Sequence, residues 1–170
     1  MSAGFAPIAA MLKSRSGLVL GPDKVYLLET RLAGLMAREG VRDLAALATK
    51  LRPSSVLERD VVEAMTTNES LFFRDMKPFE ALRQRILPRL HAARPPGTPL
   101  RIWSAAASTG QEAYSIAIIV HELAAAMPGR RVEILGTDIA REMLQRARRR
   151  IHPVRNTAWA TDANAGQVFR

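Results

Sequence analysis

The chain has 170 residues, of which 48% are hydrophobic and 24% charged; it has no cysteine and a formal net charge of +9. It is too apolar for intrinsic disorder and long enough for one domain, or one small domain with part of a second, and the lack of cysteine excludes disulfides and thiolate metal sites. No window reaches the roughly 18 uninterrupted apolar residues of a membrane span; the nearest, Tyr114 to Met127, contains His121 and Glu122.

A short apolar patch from Phe5 to Leu12 precedes its basic residues. That is the reverse of a signal peptide's order. A cytoplasmic chain without membrane insertion is therefore the expectation. The positive charge asks for an acidic partner. Aromatic residues make up only 5% and are not interleaved with the basic ones, unlike single-strand nucleic-acid binders, so nucleic acid is not the expected partner.

Residues 1 to about 93 read as almost entirely helical. Asp23 is placed to cap a helix ending near Glu39, with Gly40 as its stop and Val25, Leu28, Leu32, Leu35 and Met36 as its apolar stripe. A shorter helix is expected from Arg42 to Leu51, ahead of Pro53. Ser55 and Glu58 have capping-box spacing and open a helix through Val61, Val62 and Met65. After a polar break at Thr66 to Ser70, Asp75 is placed to cap a helix reaching about Ala92, bent at Pro88.

Arg94 to Pro99 (RPPGTP) carries the strongest linker signal. Beyond it the pattern becomes strand (Leu100–Ala105), helix (Gln111–Met127), strand (Arg131–Gly136) and helix (Ile139 to about Arg150). Such units build parallel sheets covered by helices. The fold class is α/β. An all-helical domain over 1–75 leads through a connecting helix and linker over 76–99 to an incomplete Rossmann-like domain over 100–151. An irregular tail is expected over 152–170. Two strands fall short of the about five or more usual in such sheets, which points to a truncated form or to self-association through the incomplete sheet.

Five features could carry chemistry. Small residues from Ser104 to Gly110, between strand and helix, let backbone approach a ligand beside a helix N-terminus; the ordinary alternative is a tight turn. Asp138 ends the second strand, where a carboxylate can accept from both hydroxyls of a ribose or simply cap the next helix. Glu112 can face an ammonium group or only favour the helix dipole. The run Thr66 to Asp75 sets Asn68, Ser70 and Arg74 around two phenylalanines. Arginine there can grip a carboxylate; the plainer reading is a connecting turn with a surface ion pair. Lys24, Arg31 and Arg38, seven residues apart, form one basic stripe or merely a solvated face. No metal constellation, Ser-His-acid triad or P-loop is present in the sequence.

Three of these segments fit one pattern in order. TTNESLFFRD, RIWSAAASTGQEAYSIAI and EILGTDIAREMLQRAR resemble the CheR chemoreceptor methyltransferases, and SGLVLGPDKVYLLETRL resembles that family's N-terminal helical domain. The resemblance covers about residues 10 to 150 and fades after Ile151. It implies S-adenosylmethionine as cofactor, S-adenosylhomocysteine as product, and glutamates of the cytoplasmic helices of chemotaxis receptors as substrate. Carried over, the cofactor contacts fall on Asn68, Ser70, Arg74, Ala106, Glu112 and Asp138, with Arg74 also aligning the reactants. Ser70 stands where many members have threonine, and Gln111 and Ala113 where glutamate and proline are common. The stripe of Lys24, Arg31 and Arg38 would meet the receptor. Family members run on further, completing the sheet and adding a small β-subdomain. A non-catalytic fragment that binds receptor or cofactor is therefore the alternative, and a basic nucleic-acid-binding module a more distant one.

Overall fold

A computed structural model describes residues 3–149 and 168–169. The chain forms two compact units, Met1–Thr67 and Asn68–Arg170.

The first unit is helical: α1 (Phe5–Ser16), a 3-10 turn (Pro22–Lys24), α2 (Val25–Glu39), α3 (Leu44–Lys50) and α4 (Val56–Met65). Phe5, Ile8 and Leu12 of α1 pack with Leu28, Leu32 and Leu35 of α2, Leu44 and Leu47 of α3, and Val61, Val62 and Met65 of α4. The apolar patch at Phe5–Leu12 is thus one face of a core helix. Val25 and Met36 lie at the edge of this core, partly buried.

Local signals set most of these helix ends. Asp43 accepts from Ala46 N at 2.8 Å and caps α3. Ser55 Oγ accepts from Glu58 N at 3.0 Å, and the Glu58 carboxylate reaches back to Ser54 N, so the expected capping box forms with its return bond one residue early. Gly40 is left-handed and ends α2, its N–H donating to Ala37 O at 3.2 Å. Asp23 does not cap α2. Gly21 and Pro22 open a 3-10 turn first, α2 begins only at Val25, and Asp23 instead pairs with Lys24.

The second unit opens with α5 (Met76–Ala81), a π-helical turn (Leu82–Ile86) and α6 (Leu87–Ala93). The π-helical turn lies just before Pro88, where a bend is expected. Proline at 88 has no N–H and would crowd the carbonyl four residues earlier; widening the preceding turn relieves both, with Leu87 N bonding Leu82 O. Asp75 precedes α5 with φ 56 and makes no side-chain cap bond, so the cap expected there is absent.

β1 (Leu100–Ala105) and β2 (Val132–Thr137) pair in parallel, Leu100 opposite Val132 through Ala105 opposite Thr137. α7 (Gln111–Glu122) joins them, and α8 (Arg141–Arg149) follows. α7 stops one turn before its expected end. Leu123 to Met127 close in turns instead, because Pro128 disfavours helical backbone in the residue before it. β3 (Val168–Phe169) pairs antiparallel with β2 at Gly136 and Thr137. Apart from these two residues, the expected irregular tail over 152–170 lies outside the described residues.

One sheet face is packed. Leu100, Val132 and Ile134 meet Ala113, Ile116 and Ile119 of α7, with Phe79, Leu87 and Met127. The other face carries Arg101, Trp103 and Ala105, all exposed, with Trp103 at 68%.

The segment read as a linker lies inside this unit and is clamped. Arg130 donates from Nε to His91 Nδ1 at 3.1 Å and from both terminal nitrogens to the carbonyls of His91, Arg94, Pro95 and Thr98. All five guanidinium N–H groups are used.

Candidate functional site

The carboxyl ends of β1 and β2 meet at Asp138. Its Oδ2 accepts from Ser108 N at 2.7 Å and its Oδ1 from Ala140 N at 2.8 Å. One carboxylate therefore ties the loop after β1 to the start of α8. Asparagine has one side-chain acceptor and could not serve both donors, so the arrangement specifies an acid here. Each oxygen keeps a second lone pair for a further donor.

The loop after β1 is unusual backbone. Ala106 has φ 58 and Ser108 φ 49, both left-handed without being glycine, and such residues concentrate at functional sites. Ala106 is exposed while Ala107 and Ser108 are buried. Ala107 N bonds Thr137 O at 2.8 Å, which locks the loop onto β2. Gly110 then opens α7 with φ +94. A Cβ there would lie 2.8 Å from the Tyr114 ring and 3.3 Å from Ala147 Cβ, so only glycine fits.

Glu112 lies in the first turn of α7, exposed, with Oε1 accepting from Ser104 Oγ at 2.6 Å. Ser104 itself is 1% exposed. The bond holds the carboxylate against the end of β1, near positive helix-terminus charge. Tyr114 follows on the same helix. Burial pushes its phenol up to about 12, so it stays a neutral donor, facing Ala147 O at 3.4 Å.

The segment from Asn68 to Asp75 joins this edge through its backbone. Asn68 O accepts from Ser108 Oγ at 3.0 Å, and Phe73 N donates to Ser115 Oγ at 2.9 Å. Ser70 is partly buried between them. Arg74 is exposed and turned to its own segment, donating to Glu69 O at 3.3 Å and pairing with the Glu69 carboxylate at 3.7 Å.

Asn68 and Asp138 are thus linked through Ser108, Ala106 lies in the same loop, and Glu112 sits in the first turn of the helix that this loop opens. The three basic residues of the first unit do not form a uniform stripe. Lys24 is in the 3-10 turn beside Asp23, and Arg38 pairs with Asp60 and Glu39. Those carboxylates raise the Arg38 pKa, Asp60 foremost. Arg31 is partly buried and donates to Met65 O at 2.7 Å, Thr66 O at 3.2 Å and Thr67 Oγ1 at 3.5 Å, which serves the C-terminus of α4. Ser104 and Ser108 belong to the small-residue run, which suggests no separate role for either. Nothing local distinguishes Ser115. Among the described residues no group of acids and histidines could hold a metal ion.

Residues 68–165 match the family model described as the CheR methyltransferase SAM-binding domain, and residues 3–66 match its all-alpha domain. The chain belongs to the CheR methyltransferase family. The family match runs past Ile151, beyond the point where the motif resemblance fades. A chemotaxis protein methyltransferase of Pseudomonas aeruginosa is 42% identical over 151 residues, 86% of this chain and 55% of that protein. One of Pseudomonas putida is 39% identical over 145 residues, 82% of this chain and 52% of that protein. A third, from Vibrio anguillarum, is 36% identical over 178 aligned residues, 96% and 64% of the two chains. This CheR-family chain thus spans between half and two-thirds of the length of these relatives.

Proposed function

We propose that this chain binds S-adenosylmethionine at the carboxyl ends of β1 and β2, and that the protein methylates glutamate side chains on the cytoplasmic helices of chemotaxis receptors. The observation that carries this reading is the doubly bonded Asp138 carboxylate at the strand ends, beside the left-handed, exposed Ala106. The donor set fits the cofactor. Asp138 has lone pairs left for a ribose diol. Ala106 presents backbone with almost no side chain. Glu112 offers a fixed carboxylate to an ammonium group. Asn68 and Ser70 lie on the segment that closes the same edge, and Arg74 follows them with an exposed guanidinium that meets the carbonyl and carboxylate of Glu69.

When bound, the cofactor supplies a methyl group on a positively charged sulfur, the electrophile for a carboxylate oxygen. A glutamate carboxylate is already nucleophilic at neutral pH, so the chain needs no strong general base. Its residues hold and align. Arg74 can take a carboxylate in two parallel hydrogen bonds. Alignment of this kind contributes several to about 10 kcal/mol. S-adenosylhomocysteine is the expected product. Lys24 and Arg38, exposed on the helical unit, are proposed as receptor contacts; Arg31 supports that surface by fixing α4.

The test is calorimetric titration with S-adenosylhomocysteine, followed by transfer of labelled methyl groups to a receptor cytoplasmic fragment. Micromolar binding with label on the receptor supports the reading. Binding without transfer would leave a cofactor-binding chain that is not catalytic by itself. Copies could also associate through β1, which is an edge strand in the order β1-β2-β3 and carries exposed Trp103. A concentration-independent monomer in sedimentation would reject that association.

A further inference from the structure

Ser115 is 0% exposed and lies on the inward face of α7. Its Oγ donates to Gln111 O at 2.7 Å, four residues back, and accepts the Phe73 N–H at 2.9 Å from 42 residues away. A hydroxyl has one proton. Because that proton goes to Gln111, the lone pairs are left to receive Phe73. The residue they receive is an aromatic at φ 51, followed by Asp75 at φ 56. Left-handed backbone is costly for such side chains and persists only where the surroundings over-determine it. Phe73 also meets Phe79 edge-on, ring centroids 5.4 Å apart. That contact fixes where the ring sits; the hydroxyl fixes which way the peptide faces.

Ser108 acts at the other end of the same segment. Its hydroxyl donates to Asn68 O while its own N–H goes to Asp138. The run from Asn68 to Phe73 is therefore hung between two buried serines, and Arg74 is the next residue along.

We propose that Ser115 is a positioning residue. By accepting the Phe73 N–H it holds the strained turn that carries Arg74, without itself touching cofactor or substrate. The proposal rests on reading residues 68–75 and 106–112 as the cofactor site.

The test compares the native chain with Ser115→Ala and Ser115→Cys, reading amide exchange by NMR and S-adenosylhomocysteine affinity by calorimetry. In Ser115→Ala the Phe73 amide should exchange at least about tenfold faster, the scale set by one lost buried hydrogen bond. The Ile116 and Ile119 amides should keep their protection, showing α7 intact. Affinity should fall by about tenfold for the same reason. Ser115→Cys, with a weaker acceptor of similar size, should fall between in both readouts, and it decides by the same criteria if the alanine variant does not fold. Unchanged Phe73 exchange would overturn the proposal. So would faster exchange with unchanged affinity, which would make the bond structural only. If the native chain does not bind at all, the cofactor reading fails, and the Phe73 exchange still shows separately whether the serine holds the turn.

Discussion

Among the described residues up to Thr67, Ser54 is the one non-glycine residue at positive φ; from Asn68 onward there are four, Phe73, Asp75, Ala106 and Ser108. The polar bonds differ in the same way. In the helical unit Asp43 and Ser55 satisfy amides three residues away, and Arg31, which reaches farther, serves the end of a regular helix. In the α/β unit Ser108, Asp138 and Ser115 reach partners 30 to 42 residues distant. The first unit is a set of locally specified helices closed by an apolar core. In the second, long-range polar bonds accompany backbone that local preference would reject, and they do so at the proposed cofactor site. Strain of this kind is tolerated where function returns something for it.

Four substitutions sharpen or break this contrast. Leu32→Ala, at a fully buried position of the helical core, should cost about 2–5 kcal/mol in urea unfolding; a loss below 1 kcal/mol, about what surface changes give, would mean the core is not shared as described. Arg130→Lys should cost about 1–3 kcal/mol, close to Arg130→Ala, because an ammonium cannot reproduce the five-bond fork. A lysine variant as stable as the native chain would show that the clamp contributes only charge. Ser55→Ala should cost about 1 kcal/mol through the lost cap on α4, read as a shifted thermal midpoint. Arg38→Ala should leave stability within error, since its ion pairs are exposed; a clear loss would reveal a larger role for Asp60.

The same contrast explains what could be read from sequence. The stripe Leu28, Leu32 and Leu35, the Ser55–Glu58 box, the Gly40 stop and the strand Leu100–Ala105 follow rules that act within a few residues, and they are found in place. Asp23 and Asp75 obey the same capping statistics yet cap nothing. A 3-10 turn intervenes at the first, and the second is itself in left-handed backbone, at φ 56. Arg94–Pro99 has the composition of a linker, but Arg130, more than 30 residues on, makes it a fixed part of the second unit. At the proposed site, the places of Asp138, Glu112 and Ala106 at strand ends and a helix start follow from local pattern. The serines that hold them together do not, since their partners are distant in the chain. For the basic residues, spacing of seven suggests one face for Lys24, Arg31 and Arg38, but it does not show the carbonyls at the end of α4 to which Arg31 donates.

The central claim is that the Asp138 corner is a working cofactor site. Calorimetric titration of the native chain and Asp138→Asn with S-adenosylhomocysteine tests it most directly. The account predicts micromolar binding to the native chain and at least about tenfold weaker binding to the variant, as loss of a charged acceptor implies, with both chains folded. Equal affinity in the two, or no binding to a folded native chain, would contradict it.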